Sequence, residues 1–144
     1  MKRALVSVQK IDLWIRTIKK NIVMLLNFTN HLSNIWSEKQ KRTAIQLFGK
    51  VVDMPFPQID ESADENYISK LADEYLQKIL LIAERENVVV HLMGEQTFAY
   101  SLVKRLKNRN INCVASTTKR IVNMDSSGQK KEVIFQFERF RYYE

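Results

Sequence analysis

The stretch IVMLLNFTNH, residues 22–31, is an apolar run that ends abruptly in polar side chains. A short, continuous apolar run of this kind is typical of a strand that is buried on both faces of a parallel sheet. The stretch VVVHLMGEQT, residues 88–97, repeats the arrangement, with β-branched residues followed by a polar turn. Strands of this type that alternate with helical patterns predict an α/β domain with helices flanking the sheet.

The helices between these strands have recognisable beginnings and ends. Ser37–Gln40 and Ser62–Glu65 both have the capping-box form, in which a hydroxyl accepts a hydrogen bond from an unpaired backbone amide. The first helix is predicted to end at Gly49, because glycine tolerates the left-handed conformation of a helix end. The side chains that this helix is predicted to bury are Ala44, Ile45 and Phe48.

Two further strands and a hairpin complete the predicted sheet. Residues 51–54 form the second strand, and residues 111–115 form the fourth, which is expected to break at Ser116–Thr118. Right-handed crossovers then favour the strand order 2-1-3-4 in a Rossmann-like, mostly parallel sheet. Residues 121–124 and 133–140 read as a hairpin that extends the edge of the sheet beside strand four.

The first residues stand apart from this predicted domain, which spans residues 19–144. Within residues 1–18, apolar side chains recur at helical spacing and basic side chains occupy the opposite face. We expect this amphipathic extension to pack on the domain, or to be an addition translated from an upstream start. A basic amphipathic helix can instead lie on a membrane or dock on a partner, which is the less favoured alternative.

The net charge of +7 is concentrated at the start of the chain. Residues 1–20 contain six basic side chains and one acidic side chain, whereas residues 21–144 are close to neutral overall. The total charge therefore does not by itself indicate a face that binds duplex nucleic acid. Residues 104–131 are locally basic, and a patch of that size suits a small anion equally well.

Several classes of function lack the residues that their chemistry requires. Cys113 is the only cysteine, so an intrachain disulfide is excluded, and no cysteine–histidine cluster supports a metal site. The chain has no G-x-G-x-x-G fingerprint, no phosphate-binding lysine loop and no nucleophile elbow, so we expect no cofactor. No apolar run approaches the ~20 residues that span a bilayer. No signal peptide is recognisable, so a cytoplasmic location is expected.

In open α/β sheets, ligands bind beyond the carboxyl ends of the strands, where the winding direction reverses. The reversal falls here between strands one and three. The residues expected to bind a ligand there are Asn27, Thr29, Asn30, Gly94, Glu95, Gln96, Thr97, Ser116, Thr117 and Thr118. Taken singly, Ser116–Thr118 also fit a capping role, and His31 fits a cap of its own loop. Lys119 and Arg120 fit a solvated face, and His91 fits a hydrogen-bonded core residue. The convergence of three polar loops favours a site, and their amides and hydroxyls suit phosphate.

Three stretches carry a resemblance to a known group of proteins: VMLLNFTNHLS, VVVHLMGEQTFAYSLVKRL and INCVASTTKRIV. They resemble small CRISPR-associated Rossmann-like proteins, which are single-domain relatives of the CARF sensors and include ring nucleases. The resemblance covers residues 21–143 and lies in the layout of strands and loops. It implies a homodimer that binds cyclic oligoadenylate, the second messenger of type III CRISPR antiviral defence.

The resemblance also implies roles for individual residues. Asn27, Thr29 and Asn30 would hold the phosphate–ribose backbone, and Gly94, Gln96 and Thr97 would contact it through amides and side chains. The catalytic candidates are His31 as acid or base and Lys119 or Arg120 as the group that stabilises phosphate charge. Cleavage in that family uses a ribose 2′-hydroxyl as nucleophile and needs no metal. No single established catalytic residue is recognisable here, so binding is the firmer expectation and enzymatic activity stays open.

Two alternatives belong to other classes of function. A non-catalytic module for another nucleotide or for single-stranded nucleic acid is suggested by the basic residues 104–131 and by the aromatic residues of the tail. Those aromatic residues also alternate as an ordinary strand does, which favours packing. A structural partner protein that acts through residues 1–18 is the third hypothesis.

Overall fold

The computed structural model describes residues 7–14, 23–129 and 131–144. Residues 7–14 are helical with exposed side chains, and the remainder of the predicted extension, residues 1–6 and 15–18, lies outside the described residues. Among the described helices, none has both the length and the apolar character needed to cross a membrane.

From residue 23 onward, strands and helices alternate before a final hairpin. The elements are β1 (Val23–Phe28), a 3-10 turn (Ser33–Ile35), α1 (Glu38–Phe48), β2 (Lys50–Asp53), α2 (Glu65–Ala83), β3 (Asn87–Leu92), α3 (Gln96–Lys107), β4 (Asn112–Met124) and β5 (Lys131–Tyr142). The described strands form one sheet in the order β2-β1-β3-β4-β5. Strands β1 to β4 pair in parallel, and β5 is antiparallel to β4. The predicted α/β class, the order 2-1-3-4 and the hairpin at the edge are therefore confirmed.

The predicted break at Ser116–Thr118 is wrong. Strand β4 continues through these residues to Met124, and the ladder to β5 shows only a register shift between Thr117 and Thr118. Strand β3 pairs with β4 only as far as Val114, and beyond that point β5 supplies the backbone partners. The partner strand comes from the end of the chain, so the polar residues that locally suggest a loop are instead held in a long strand.

The sheet buries one apolar layer on each face, as the alternation of strand side chains requires. On one face, helices α2 and α3 cover alternate residues of β1 and β3. The fully buried members of this layer include Leu26, Phe28, Ile79, Val90, Leu92, Phe98, Leu102 and Leu106. On the other face, α1 packs on the intervening residues together with side chains of β5. This second layer consists of Leu25, Trp36, Ala44, Phe48, Val89, Val114, Phe137 and Phe140.

Both predicted ends of the first helix, α1, are confirmed, but the buried face of this helix is narrower than predicted. The hydroxyl of Ser37 accepts the Gln40 amide at 3.2 Å, and the helix ends at Gly49, whose φ is 78°. Ala44 and Phe48 are buried, but Ile45 is 58% exposed. Residues four apart share a line along a helix, whereas the next residue is rotated by about 100°. Only the side chains on the line of Ala44 and Phe48 pack into the buried layer.

The second predicted capping box is wrong, because Ser62 does not cap α2. The carboxylate of Asp64 does so by accepting the Tyr67 amide at 3.0 Å. The amide and hydroxyl of Ser62 instead donate to Asp60 Oδ1, at 2.9 and 2.7 Å. Asp60 thus holds Ser62 in a turn before the helix begins, which leaves the cap to Asp64.

We expect Leu25→Ala to lower the free energy of unfolding by about 2–5 kcal/mol, because Leu25 is fully buried between the sheet and α1. The matched control is Ile45→Ala, which removes an exposed side chain of α1 that lies outside this layer and should change stability by less than about 0.5 kcal/mol. Chemical denaturation measures both changes. Equal losses in the two variants would contradict the position of α1.

Candidate functional site

A cleft of about 950 Å³ lies at the carboxyl ends of β1 and β3, on the face that α1 and β5 cover. The loop after β1, the start of α1, the turn after β3 and the β4–β5 hairpin form its walls. The polar residues that line it are Thr29, Asn30, His31, Ser37, Gln40, His91, Ser116, Thr118, Asn123 and Gln136. Its apolar lining consists of Ile35, Trp36, Met93, Gly94, Ile121, Ile134, Phe135 and Phe137.

Among the residues that the structure describes, no lysine, arginine, aspartate or glutamate belongs to this lining. The groups that face the cleft are amides, hydroxyls, imidazoles and aromatic rings, which recognise a ligand through directional hydrogen bonds and flat apolar contacts. The part of a ligand that enters the cleft therefore meets no opposite charge. A neutral group with an aromatic surface and several polar atoms matches these walls best.

The structure brings six of the sequence-predicted binding and catalytic residues together at this cleft. Thr29, Asn30 and His31 form the wall after β1, Gly94 forms the turn after β3, and Ser116 and Thr118 lie on β4. A Cβ at Gly94 would lie 2.2 Å from Cζ of Phe56, so any larger residue there would force the Phe56 ring to move.

The residues at the start of α3 do not line the cleft. Glu95 caps its own helix: its carboxylate accepts the amides of Thr97 and Phe98 at 3.1 and 2.8 Å, and also the hydroxyl of Thr97. The hydrogen bonds from Thr97 and Phe98 hold the pKa of Glu95 below its ordinary value. Because the carboxylate already binds these amides, they are not free to donate to a phosphate at the N-terminus of α3. Gln96 is the first residue of the helix itself.

The predicted cations and one predicted hydroxyl also lie outside the lining. Lys119 and Arg120 are exposed on β4, and the hydroxyl of Thr117 donates to the Arg139 carbonyl oxygen at 3.3 Å. The extension of β4 places these residues along a hairpin arm instead of in a loop at the strand end. Lys119 and Arg120 nevertheless lie in the sequence between Thr118 and Ile121, which both line the cleft.

Asn27 lies behind the cleft, and its side chain is fully engaged within the protein. Its Nδ2 donates to the His31 carbonyl oxygen at 2.8 Å and to Asp53 Oδ1 at 2.7 Å. Its Oδ1 lies 3.0 Å from both the Thr29 hydroxyl and Nδ1 of His91. An amide has two donors and two acceptor positions, so none is left for a ligand. Asn27 therefore positions the loop that lines the cleft.

Asp53 and His91 flank Asn27 in one row across three adjacent strands. The register pairs Asn27 with Asp53 on β2 and with His91 on β3. Burial raises the pKa of Asp53, but hydrogen bonds from Asn27 and from Ser33 outweigh it and hold the pKa below its ordinary value. The row thus consists of a carboxylate, an amide and an imidazole joined by hydrogen bonds.

His91 is the buried titratable group of the site. It is only 2% exposed, and burial lowers its pKa from 6.5 to about 4. The rings of Trp36 and Phe140 meet it edge-on, with centroids 5.4 and 5.3 Å away. The indole Nε1 of Trp36 donates to the His31 carbonyl oxygen at 3.3 Å and so does not serve His91.

Sequence reasoning treated His91 as an ordinary core residue and did not include Asp53 or Trp36 in the site. The missed signal is a repeated pattern at the strand ends. LLNF (25–28), VVDM (51–54) and VVHL (89–92) each contain two apolar residues, one polar residue and one apolar residue. The register aligns the three patterns, so the polar residues meet.

No group of three or more histidine, cysteine, aspartate or glutamate side chains in the described part of the chain is arranged to hold a metal ion.

A model of the uncharacterized protein MJ1673 family matches residues 23–141, so the chain belongs to that family. The matched region includes every residue that lines the cleft. The comparisons with curated proteins and with solved structures gave no match.

We expect Asn27→Ala to lower the free energy of unfolding by about 2–5 kcal/mol, because it strips hydrogen-bond partners from Asp53, from the His31 carbonyl and from His91. Asn30→Ala is the control: Asn30 is exposed in the same loop, and its loss should cost less than about 0.5 kcal/mol. Chemical denaturation measures both variants. A small loss for Asn27→Ala would show that the row is not a structural requirement.

The low pKa of His91 predicts a loss of stability in mild acid. Above pH 6.5 the histidine is neutral in both the folded and the unfolded chain, whereas between pH 6.5 and 4 only the unfolded chain binds the proton. The free energy of unfolding should therefore fall over this window, by on the order of 3 kcal/mol from this group. Denaturation curves at several pH values should show a shallower fall for His91→Gln. Identical slopes would contradict a neutral, buried His91.

Proposed function

We propose that this member of the MJ1673 family binds a nucleotide in the cleft, and that its ligand is cyclic oligoadenylate of type III CRISPR antiviral defence. The observation that carries nucleotide binding is the uncharged, amide-rich and aromatic lining at the reversal point of the sheet. The choice of cyclic oligoadenylate among nucleotides comes from the resemblance of the strand-end stretches to small CRISPR-associated proteins.

A nucleotide has a neutral part and a charged part, and the surroundings of the cleft suit both. The base and the ribose match the walls, where Phe135 and Trp36 offer aromatic surfaces and Gln136 and Asn123 offer amides. The phosphates would remain near the rim. Lys119 and Arg120 are exposed on the same strand as the lining residue Thr118, and no ion pair of theirs was found among the described residues.

A homodimer forms part of the proposal, because a cyclic ligand with two-fold symmetry suits two identical sites. The exposed apolar side chains of the hairpin support it: Val122, Met124, Val133, Ile134 and Phe135. Two of these residues, Ile134 and Phe135, also line the cleft. A second copy that packs on the hairpin would therefore bury apolar surface and close the cleft from that side.

Cleavage of the ligand is the enzymatic extension of this proposal. The 2′-oxygen of a ribose would attack the adjacent phosphorus and form a 2′,3′-cyclic phosphate, while the bond to the 5′-oxygen breaks. The proton leaves the 2′-hydroxyl and is delivered to the 5′-oxygen. His31 lines the cleft and is exposed, so it is the side chain available for this transfer, with Lys119 or Arg120 near the phosphate.

Binding is tested by titrating the protein with cyclic tetra- and hexa-adenylate in the presence of EDTA. The chain has two tryptophans, so a Trp14→Phe background leaves Trp36 as the single fluorescent reporter inside the cleft. We expect saturable quenching by one ring, and sedimentation should show a dimer. Chromatography of the same mixtures detects a cyclic-phosphate product if cleavage occurs. Absence of binding to both rings would overturn the proposed ligand.

Phe135→Ala and Tyr142→Ala locate the binding surface. Both aromatic residues are exposed on β5, at 63% and 53%, but only Phe135 lines the cleft. Base stacking is worth about 1–3 kcal/mol, so Phe135→Ala should weaken binding by roughly ten-fold or more. Tyr142→Ala should leave the affinity within about two-fold of the wild type. Equal losses of affinity in the two variants would indicate that the ligand binds on the open face of β5 and not in the cleft.

The second candidate function is binding of single-stranded nucleic acid along the hairpin. The observation that favours it is the pairing of Arg120 with Phe135, which places an exposed cation opposite an exposed aromatic ring. Linear oligoadenylate separates the two functions. Affinity that falls steeply with salt, and that exceeds the affinity for the rings, would favour this candidate.

A further inference from the structure

The orientation of the Asn27 amide is determined by the groups around it. Its Nδ2 lies 2.8 Å from the His31 carbonyl oxygen and 2.7 Å from the Asp53 carboxylate, and both of these groups only accept hydrogen bonds. The Oδ1 must therefore be the atom that faces Nδ1 of His91, at 3.0 Å. Because an amide oxygen cannot donate, the proton of this contact belongs to Nδ1 of His91.

A neutral imidazole carries one proton, so the other nitrogen of His91 is left with a lone pair. This nitrogen, Nε2, is buried and has no hydrogen-bond partner within the described residues. Buried polar atoms are normally partnered, and an isolated one is an exception that requires a reason. His91 also belongs to the lining of the cleft, so a ligand that reaches Nε2 from the cleft would supply the missing partner.

We propose that His91 is a ligand-contact residue that presents Nε2 as a hydrogen-bond acceptor to an N–H or O–H group of the bound molecule. This inference rests on the proposed function and deepens it, because it names the chemical group that the deep end of the cleft selects. Asn27 and Asp53 are positioning residues: they hold the imidazole in the tautomer that accepts.

The lone pair on Nε2 determines which part of a nucleotide lies beside it. A phosphate oxygen is ionised at neutral pH and has no proton to donate, so it would face the lone pair unfavourably. The exocyclic amino group of adenine and the 2′-hydroxyl of ribose both donate. We therefore place a base or a ribose beside His91 and the phosphates toward the rim, in agreement with the uncharged lining.

The tautomer is measured on the free protein, without any ligand. In protein labelled at histidine, long-range proton–nitrogen correlations distinguish Nδ1–H from Nε2–H, and His31→Gln assigns the two histidines. We expect the Nδ1–H form for His91. Asp53→Asn removes one of the two acceptors that orient the Asn27 amide and should add signal from the other tautomer. Ser33→Ala is the control, because it removes a partner of Asp53 and leaves that of Asn27 in place.

The hydrogen bond to Nε2 of His91 is tested with analogues of the cyclic ligand, in the Trp14→Phe background. Cyclic tetra-adenylate is compared with one analogue whose bases lack the 6-amino group and with another that lacks the 2′-hydroxyls. One of the two analogues lacks the group that donates to His91. We expect that analogue to bind the protein with the native His91 about ten-fold more weakly than the native ring does. His91→Phe keeps an aromatic ring between Trp36 and Phe140, and it should bind that analogue and the native ring equally.

The outcomes separate the two proposals. An Nε2–H tautomer in the free protein, or unchanged discrimination between the rings in His91→Phe, would overturn the role of His91 while ring binding stands. If the native ring fails to bind the wild type, the proposed ligand is overturned, and the tautomer alone then decides whether Nε2 is the acceptor. Weak binding of one analogue to the wild type together with the Nδ1–H tautomer supports both.

Discussion

A buried amide within an apolar sheet needs partners for all of its hydrogen-bonding positions, and Asn27 finds them on both neighbouring strands and in its own loop. This requirement links features that would otherwise be independent. It sets the conformation of the loop after β1, whose His31 carbonyl also accepts from Trp36. It holds Asp53 ionised, and it determines which nitrogen of His91 carries a proton. The conformation of one wall of the cleft and the hydrogen bonding of His91 both follow from this one side chain.

The cleft combines an open entrance with a rigid inner end. The inner end is built from the ends of β1 and β3 and from the rings around His91, all of them buried. The entrance is the hairpin arm, where aromatic and basic side chains are exposed. In the proposed function, the buried inner end selects a ligand by hydrogen bonds, and the exposed hairpin arm contacts the phosphates of the ligand or a second copy of the chain.

Most of the architecture could be predicted from local patterns, because apolar runs, caps and crossovers are short-range features. The strand order, the start of α1 at Ser37 and the end of the same helix at Gly49 are examples. The error at Ser62 was local, because Asp60 binds the hydroxyl that was expected to cap the helix. The error on β4 arose where a distant segment changed the outcome. Residues 116–120 read as a loop until β5 supplies a partner. For the site, the sequence predicted the edge of the sheet and six residues that line the cleft there, namely Thr29, Asn30, His31, Gly94, Ser116 and Thr118. It did not predict that His91 belongs to the lining.

The sequence by itself indicated that β1 and β3 end in polar residues at one edge of a parallel sheet, because short apolar runs that alternate with helical patterns favour that arrangement. It also contained the polar residue in each of three matching patterns, at 27, 53 and 91. Only the tertiary structure decided that these residues meet and which side chains are consumed internally. The physical reason is that hydrogen bonds require atoms within about 3 Å, and that proximity exists only once β2, β1 and β3 are in register.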